Sequence, residues 1–155
     1  MSLRTLVLAL LCASCSDGSA DSAATPGDGG SAGDTSDTGA LDVSREQPTD
    51  GGTWTVSYAP TPDPLPFSEN FDLLLTLTDS GGAAASGVEG VVSSATMPSH
   101  GHGMNVEPVA TDNGDGTWTA SPFKFHMAGM WEVTVDVTAG GATERASFNV
   151  ECCPE

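Results

Sequence analysis

The sequence predicts an all-β domain, and three observations carry that expectation. Apolar residues recur at every second position in three stretches: Trp54, Val56 and Tyr58; Phe71, Leu73, Leu75 and Leu77; and Trp131, Val133, Val135 and Val137. Successive strand side chains point to opposite faces, so each row marks one buried face of an antiparallel sheet. Turn-forming clusters separate the rows at Asp79-Ser80-Gly81-Gly82, Asp112-Asn113-Gly114-Asp115-Gly116 and Ala139-Gly140-Gly141. The 19 Gly and 10 Pro among 155 residues suit strands and turns and disfavour a helix bundle.

Weaker segments at about 88–96, 105–111, 117–125 and 143–150 bring the count to seven. Seven short strands in about 100 residues is the pattern of an immunoglobulin-like antiparallel β-sandwich, here assigned to residues 51–151. A domain of that size sustains its own core without disulfides. Along 117–125 the apolar parity runs Trp118, Ala120 and then Phe123, Phe125, so a bulge or break is expected near Ser121-Pro122. Pro108 points to an edge strand. Asn113-Gly114 is the dipeptide favoured in two-residue hairpin turns. That turn sets Thr111 opposite Gly116 and, continuing outward, His102 opposite Phe125 and Met104 opposite Phe123. The likeness of Asp50-Gly-Gly-Thr-Trp-Thr to Gly114-Asp-Gly-Thr-Trp-Thr predicts two strands entered the same way.

Residues 1–15 have the form of a signal peptide. Arg4 precedes the apolar run Leu6–Leu11, which is far short of the roughly 20 residues that span a bilayer. Ala13 and Ser14 then lead to Cys15, resembling the cleavage site of bacterial lipoproteins, in which the cysteine carries lipid. Plain secretion is the alternative. A lipidated Cys15 makes the membrane a partner, and Ser16 after it favours, by analogy, the outer over the inner membrane. The chain is therefore expected to be exported and lipid-anchored, on the periplasmic side or at the cell surface. Residues 16–50 hold eight acidic side chains and one base with little apolar surface, so a disordered acidic Ser/Gly/Asp linker is expected there. Gly29-Gly30-Ser31-Ala32-Gly33 in this stretch matches a hydrolase elbow, but that motif needs a flanking strand and helix. This composition supplies neither.

Twenty-one acidic residues against four basic ones give a net charge of −17, which excludes a nucleic-acid partner. The sequence offers no base held beside a nucleophile, no phosphate-cradling loop in an ordered stretch and no zinc-hydrolase helix motif. An enzyme is not expected.

All three His, and every Met after Met1, fall in two segments. The first, Met97-Pro98-Ser99-His100-Gly101-His102-Gly103-Met104, sets His100, His102 and Met104 on one face of an extended chain, about 6.6 Å apart. The second is His126-Met127-Ala128-Gly129-Met130. Imidazole suits Cu, Zn and Ni, whereas thioether selects Cu(I), so the mixed set points to copper, as Cu(I) or Cu(II), before zinc. The candidate ligands are His100, His102 and Met104 with His126, Met127 and Met130, and Met97 beside them. Carboxylates do not cluster here, which disfavours Ca²⁺ or Mg²⁺. The competing account is packing: methionine commonly fills cores, and Met97, Met127 and Met130 can pack on Trp131 and the phenylalanines. Cys152 and Cys153, in the tail 152–155, leave a vicinal disulfide, an intermolecular bridge or a thiolate pair all open.

The two His/Met segments, with Gly116-Thr-Trp118 between them and Trp131-Glu-Val133 at their end, resemble the YtkA-like domain family. So does the approach Asn70-Phe-Asp-Leu-Leu-Leu-Thr-Leu-Thr-Asp79 with its following Gly pair. That family comprises small exported or membrane-attached bacterial β-sandwiches, and the likeness covers about residues 52–150. It implies the fold, an exported setting and a link to copper or other metal handling, and it brings no catalytic residues. The expected function is a membrane-anchored exported module that captures copper. The alternative is a metal-free structural or interaction domain facing a protein partner of the cell envelope.

Overall fold

The computed structural model describes residues 41–153. The leader, Cys12, Cys15, linker residues 16–40 and residues 154–155 lie outside them. Nine strands form: β1 (Glu46–Pro48), β2 (Trp54–Thr61), β3 (Phe71–Asp79), β4 (Val88–Met97), β5 (His102–Gly103), β6 (Val109–Asp112), β7 (Thr117–Phe123), β8 (Gly129–Ala139) and β9 (Ala142–Cys152). They make two antiparallel sheets, one ordered β1-β2-β3-β7-β6 and the other β5-β4-β8-β9. The domain is an all-β sandwich, with no helix among the described residues.

The period-two rows face each other across the interior. Phe71, Leu73, Leu75 and Leu77 on β3 and Trp131, Val133, Val135 and Val137 on β8 are all 2% exposed or less. Burying each such side chain contributes about 1.5–3 kcal/mol. Val56 and Tyr58 on β2 and Ala146, Phe148 and Val150 on β9 complete the two inner faces. Alternation accounts for these rows, while Leu65 and Phe125 join the core from outside the strands.

Seven strands match those read from the sequence, and β1 and β5 are the additions. β1 lies inside the stretch assigned to the linker, so ordered chain begins before Gly51. Its pairing with β2, from Glu46 opposite Ser57 to Pro48 opposite Thr55, uses backbone groups and needs no apolar pattern. The expected bulge is present: Leu73 faces Ala120 while Phe71 faces Phe123, which places the extra residue at Ser121-Pro122. β6, just after Pro108, is an edge strand as expected.

The β6–β7 turn corrects the expected register. Thr111 faces Thr119, not Gly116, and the ladder ends at Val109 opposite Ser121. The connection is longer than two residues because side chains close it. Asp112 Oδ1 accepts the Gly114 amide at 2.8 Å, Asp115 Oδ1 accepts the Thr117 amide at 3.0 Å, and the Asn113 amide reaches the Thr117 carbonyl at 3.0 Å. His102 and Met104 are therefore not on this ladder; His102 pairs instead with Met97 in the other sheet.

Glu144 on β9 holds the entry to β2. Its carboxylate accepts the Thr49 hydroxyl at 2.5 Å, the Thr53 amide at 3.1 Å and the Thr53 hydroxyl. A Cβ on Gly51 would meet that carboxylate, so glycine there lets Glu144 reach both threonines without moving aside. The hydroxyl of Thr49, then that of Thr53, hold the Glu144 carboxyl below its usual range. A depressed carboxyl stabilises the fold at neutral pH, and the contribution disappears as pH falls below about 4.3 and through the folded value. In urea titrations, Glu144→Gln is expected to lose stability at pH 7 and to flatten the acid limb of the stability profile. Leu75→Ala, at the centre of the core, should cost roughly 2–5 kcal/mol in the same assay.

Candidate functional site

One end of the sandwich collects the His/Met segments around Trp131. This residue is fully buried at the start of the inner row of β8. Phe125 stacks on it at 4.7 Å with an interplanar angle of 11°. The indole N–H donates to the Met127 carbonyl at 3.0 Å, fixing the crossing from β7 to β8. His126, on that crossing, lies edge-on to Trp131 with ring centroids 5.5 Å apart.

The other segment is folded by a tight turn. The amides of His100 and Gly101 both donate to the Met97 carbonyl, at 3.0 and 2.9 Å, and Gly101 has φ +70°. The chain doubles back, and His102 of β5 sits opposite Met97 of β4. Directly opposed residues share a face, so His102 takes the inward side that Met97 takes. Its ring lies 6.0 Å from Trp131 and 5.2 Å from His126. The next residue on that side, Met104, donates its amide to the Ala95 carbonyl at 3.1 Å and accepts the Lys124 amide on Sδ at 3.5 Å. The two segments therefore meet, through the β4–β5 turn and the β7–β8 crossing rather than along the β6–β7 hairpin.

The seven candidate side chains divide. His102 and His126 are half-buried neighbours, and Nδ1 of His126 is buried without a hydrogen-bond partner. His100 is exposed at the rim, its ring 5.8 Å from His102. Met104 and Met127 are partly buried and pack on the core. Met97 is 1% exposed and belongs to the core itself. Its Cε reaches within 3.1 Å of where a Gly129 Cβ would stand, so Gly129, at φ +125°, is the space that Met97 fills. Met130 is half-buried and pairs with Glu151; its even position on β8 directs it to the outer face, away from the Trp131 row. Among the described residues no three His, Cys, Asp or Glu side chains form a metal-holding group. A metal held here would need thioether beside the two imidazoles.

Cys152, buried on β9 opposite Gly129, is disulfide-bonded to Cys153, which settles the cysteines as a vicinal pair. Sequence reasoning missed the organising role of Trp131 and Phe125. The signal available was a tryptophan opening the most regular apolar row, directly after the second His/Met segment.

No family model, no curated protein and no solved structure matches the chain.

Trp131→Phe keeps an aromatic ring but leaves the Met127 carbonyl without its donor. The variant should lose about 1–3 kcal/mol in urea unfolding and weaken the proton NOEs between the His102 and His126 rings.

Proposed function

We propose that the domain is an exported, lipid-anchored binding module that captures copper between His102 and His126. The observation that carries this reading is the pair itself. Two imidazoles from segments 24 positions apart in sequence lie 5.2 Å apart, and one presents a buried ring nitrogen with no partner. A buried polar atom without a partner costs about 1–3 kcal/mol, and a bound cation would supply the missing interaction at a neutral imidazole nitrogen. Met104 and Met127, partly buried, lie on the same two segments as this pair, and His100 stands at its mouth. Soft sulfur beside imidazole favours copper over zinc.

Met97 and Met130 are left out of this ligand set, the first as core and the second as an outer-face residue. The resemblance to the YtkA-like family and the leader ending at Cys15 support an exported setting. The module is proposed as a carrier or sensor without catalysis of its own. The alternative, a metal-free interaction domain, draws on the packing of both rings against Trp131 as aromatic neighbours.

Calorimetric titration of the protein with Cu(I) and with Cu(II) separates the two. Copper should bind with one-site stoichiometry, and His102→Ala combined with His126→Ala should weaken it by at least about tenfold, or about 1.4 kcal/mol. Cu(II) should also quench Trp131 fluorescence, measured in a Trp54→Phe/Trp118→Phe background. Since a ligating imidazole must be neutral, acidification should release the metal. Equal affinity in the wild type and the double variant would favour the interaction domain.

A further inference from the structure

Cys152 and Cys153 stand at the end of β9, and their disulfide is not what holds that strand in place. β9 pairs with β8 along its whole length, from Ala142 opposite Ala139 to Cys152 opposite Gly129. Cys152 is 2% exposed, on the inward row that also carries Ala146, Phe148 and Val150. Ladder and burial together fasten the strand, so opening the S–S bond leaves the sandwich standing. A disulfide without a structural task becomes a site of thiol exchange when solvent reaches one of its partners. Cys153 is that partner: it lies beyond the strand and is half-buried.

The pair lies at the end of the sandwich that carries the imidazoles. Cys152 faces Gly129, three residues after His126. Gly129 has no side chain, and Cε of Met97 fills the space where one would stand. Across the ladder from Cys152 the surroundings are therefore backbone and thioether. When the disulfide opens, two sulfurs on adjacent residues become free to hold one ion between them. Zn²⁺ takes four ligands, and among the described residues no three His, Cys, Asp or Glu side chains form a group that could supply them. Thiolate is a soft donor that selects Cu(I), for which two sulfurs suffice.

We propose that Cys152 and Cys153 are a reversible redox pair whose reduced form is a two-thiolate site for Cu(I), separate from the imidazole pair. Reduction is by a dithiol. Its first thiolate attacks one sulfur of the pair, the S–S bond breaks and a mixed disulfide forms; its second thiol then closes the reductant's own disulfide. The protein pair gains two electrons and two protons, and the dithiol loses them. Cu(I) binds as the two thiol protons leave to solvent. A disulfide oxidant reverses the exchange: the cysteines close on each other, the oxidant becomes a dithiol with protons from water, and the ion is released.

The test titrates the full chain with Cu(I) under argon after treatment with dithiothreitol; Cys12 and Cys15 contribute alike to the wild type and every variant. Dithiothreitol should open the pair while the NMR amide spectrum stays that of the folded domain, and iodoacetamide should then label Cys153. The reduced wild type should bind one more equivalent of Cu(I) than reduced Cys153→Ser, with an ultraviolet thiolate-to-copper band. In that variant, changed beyond the strand, the affinity of this equivalent should fall at least about tenfold, since a lone thiolate loses the second as a chelating neighbour. Cys152→Ala should lose the same equivalent. His102→Ala combined with His126→Ala should keep it, which tells failure of this site from failure of the imidazole site. A pair that opens only when the domain unfolds, equal Cu(I) binding by the wild type and Cys153→Ser, or an extra equivalent that vanishes with the histidines would each overturn the proposal.

Discussion

A buried indole N–H must find an acceptor, and where it finds one decides how the chain around it runs. Trp131 is fully buried, and its N–H meets the Met127 carbonyl. That single bond ties the β7–β8 crossing down onto the first inward residue of β8. Phe125 is drawn into the stack, and His126 is held beside the indole edge. On the other side, the turn at Met97–Gly101 delivers His102 to the same indole. The packing of the core and the placement of the imidazoles are one event here, because the ring that fills the end of the sandwich is also the ring both histidines lean on.

Much of this was legible in the sequence because burial imposes a period. The rows on β3 and β8 announce themselves, as does the parity slip at Ser121-Pro122. What escaped was anything decided by side-chain hydrogen bonds or by backbone pairing alone. Asp112 and Asp115 each bond a backbone amide in the β6–β7 loop and lengthen it, so a rule based on Asn-Gly placed Thr111 opposite the wrong partner. β1 and β5 are three and two residues long, too short to show a period of two. The meeting of the two His/Met segments was anticipated from a hairpin that does not join them, and it arises instead from two turns at the end of the sandwich. The outward side of Met130 follows from the odd-numbered row of β8, whereas the burial of Met97 beneath Gly129 depends on turns that the pattern does not set.

The charge distribution is lopsided, and two of the described cations, Arg45 and Arg145, are held in ion pairs. Arg45 holds Asp63 through two bonds of 2.6 and 3.0 Å and lies 5.8 Å over the Tyr58 ring; Arg145 grips Asp136 at 2.6 and 2.8 Å. The hydrogen bond from Arg45 holds the Asp63 carboxyl below its usual range, while burial pushes the Tyr58 phenol up. These pairs are exposed, and solvent screening leaves such pairs little effect on stability. Their place in the fold is more informative than their strength. Arg45 binds the segment before β1 to the loop after β2, and Arg145 braces β9 against β8.

The sulfur–sulfur link at the end of β9 joins residues adjacent in sequence. A covalent tie between immediate neighbours encloses almost no polypeptide, so it restricts the denatured ensemble hardly at all. The sandwich consequently depends on oil-like burial rather than on oxidation for its persistence, and it can visit reducing and oxidising surroundings with the same architecture. With each thiol consumed by the other, neither is left to tether the domain covalently to a neighbouring protein.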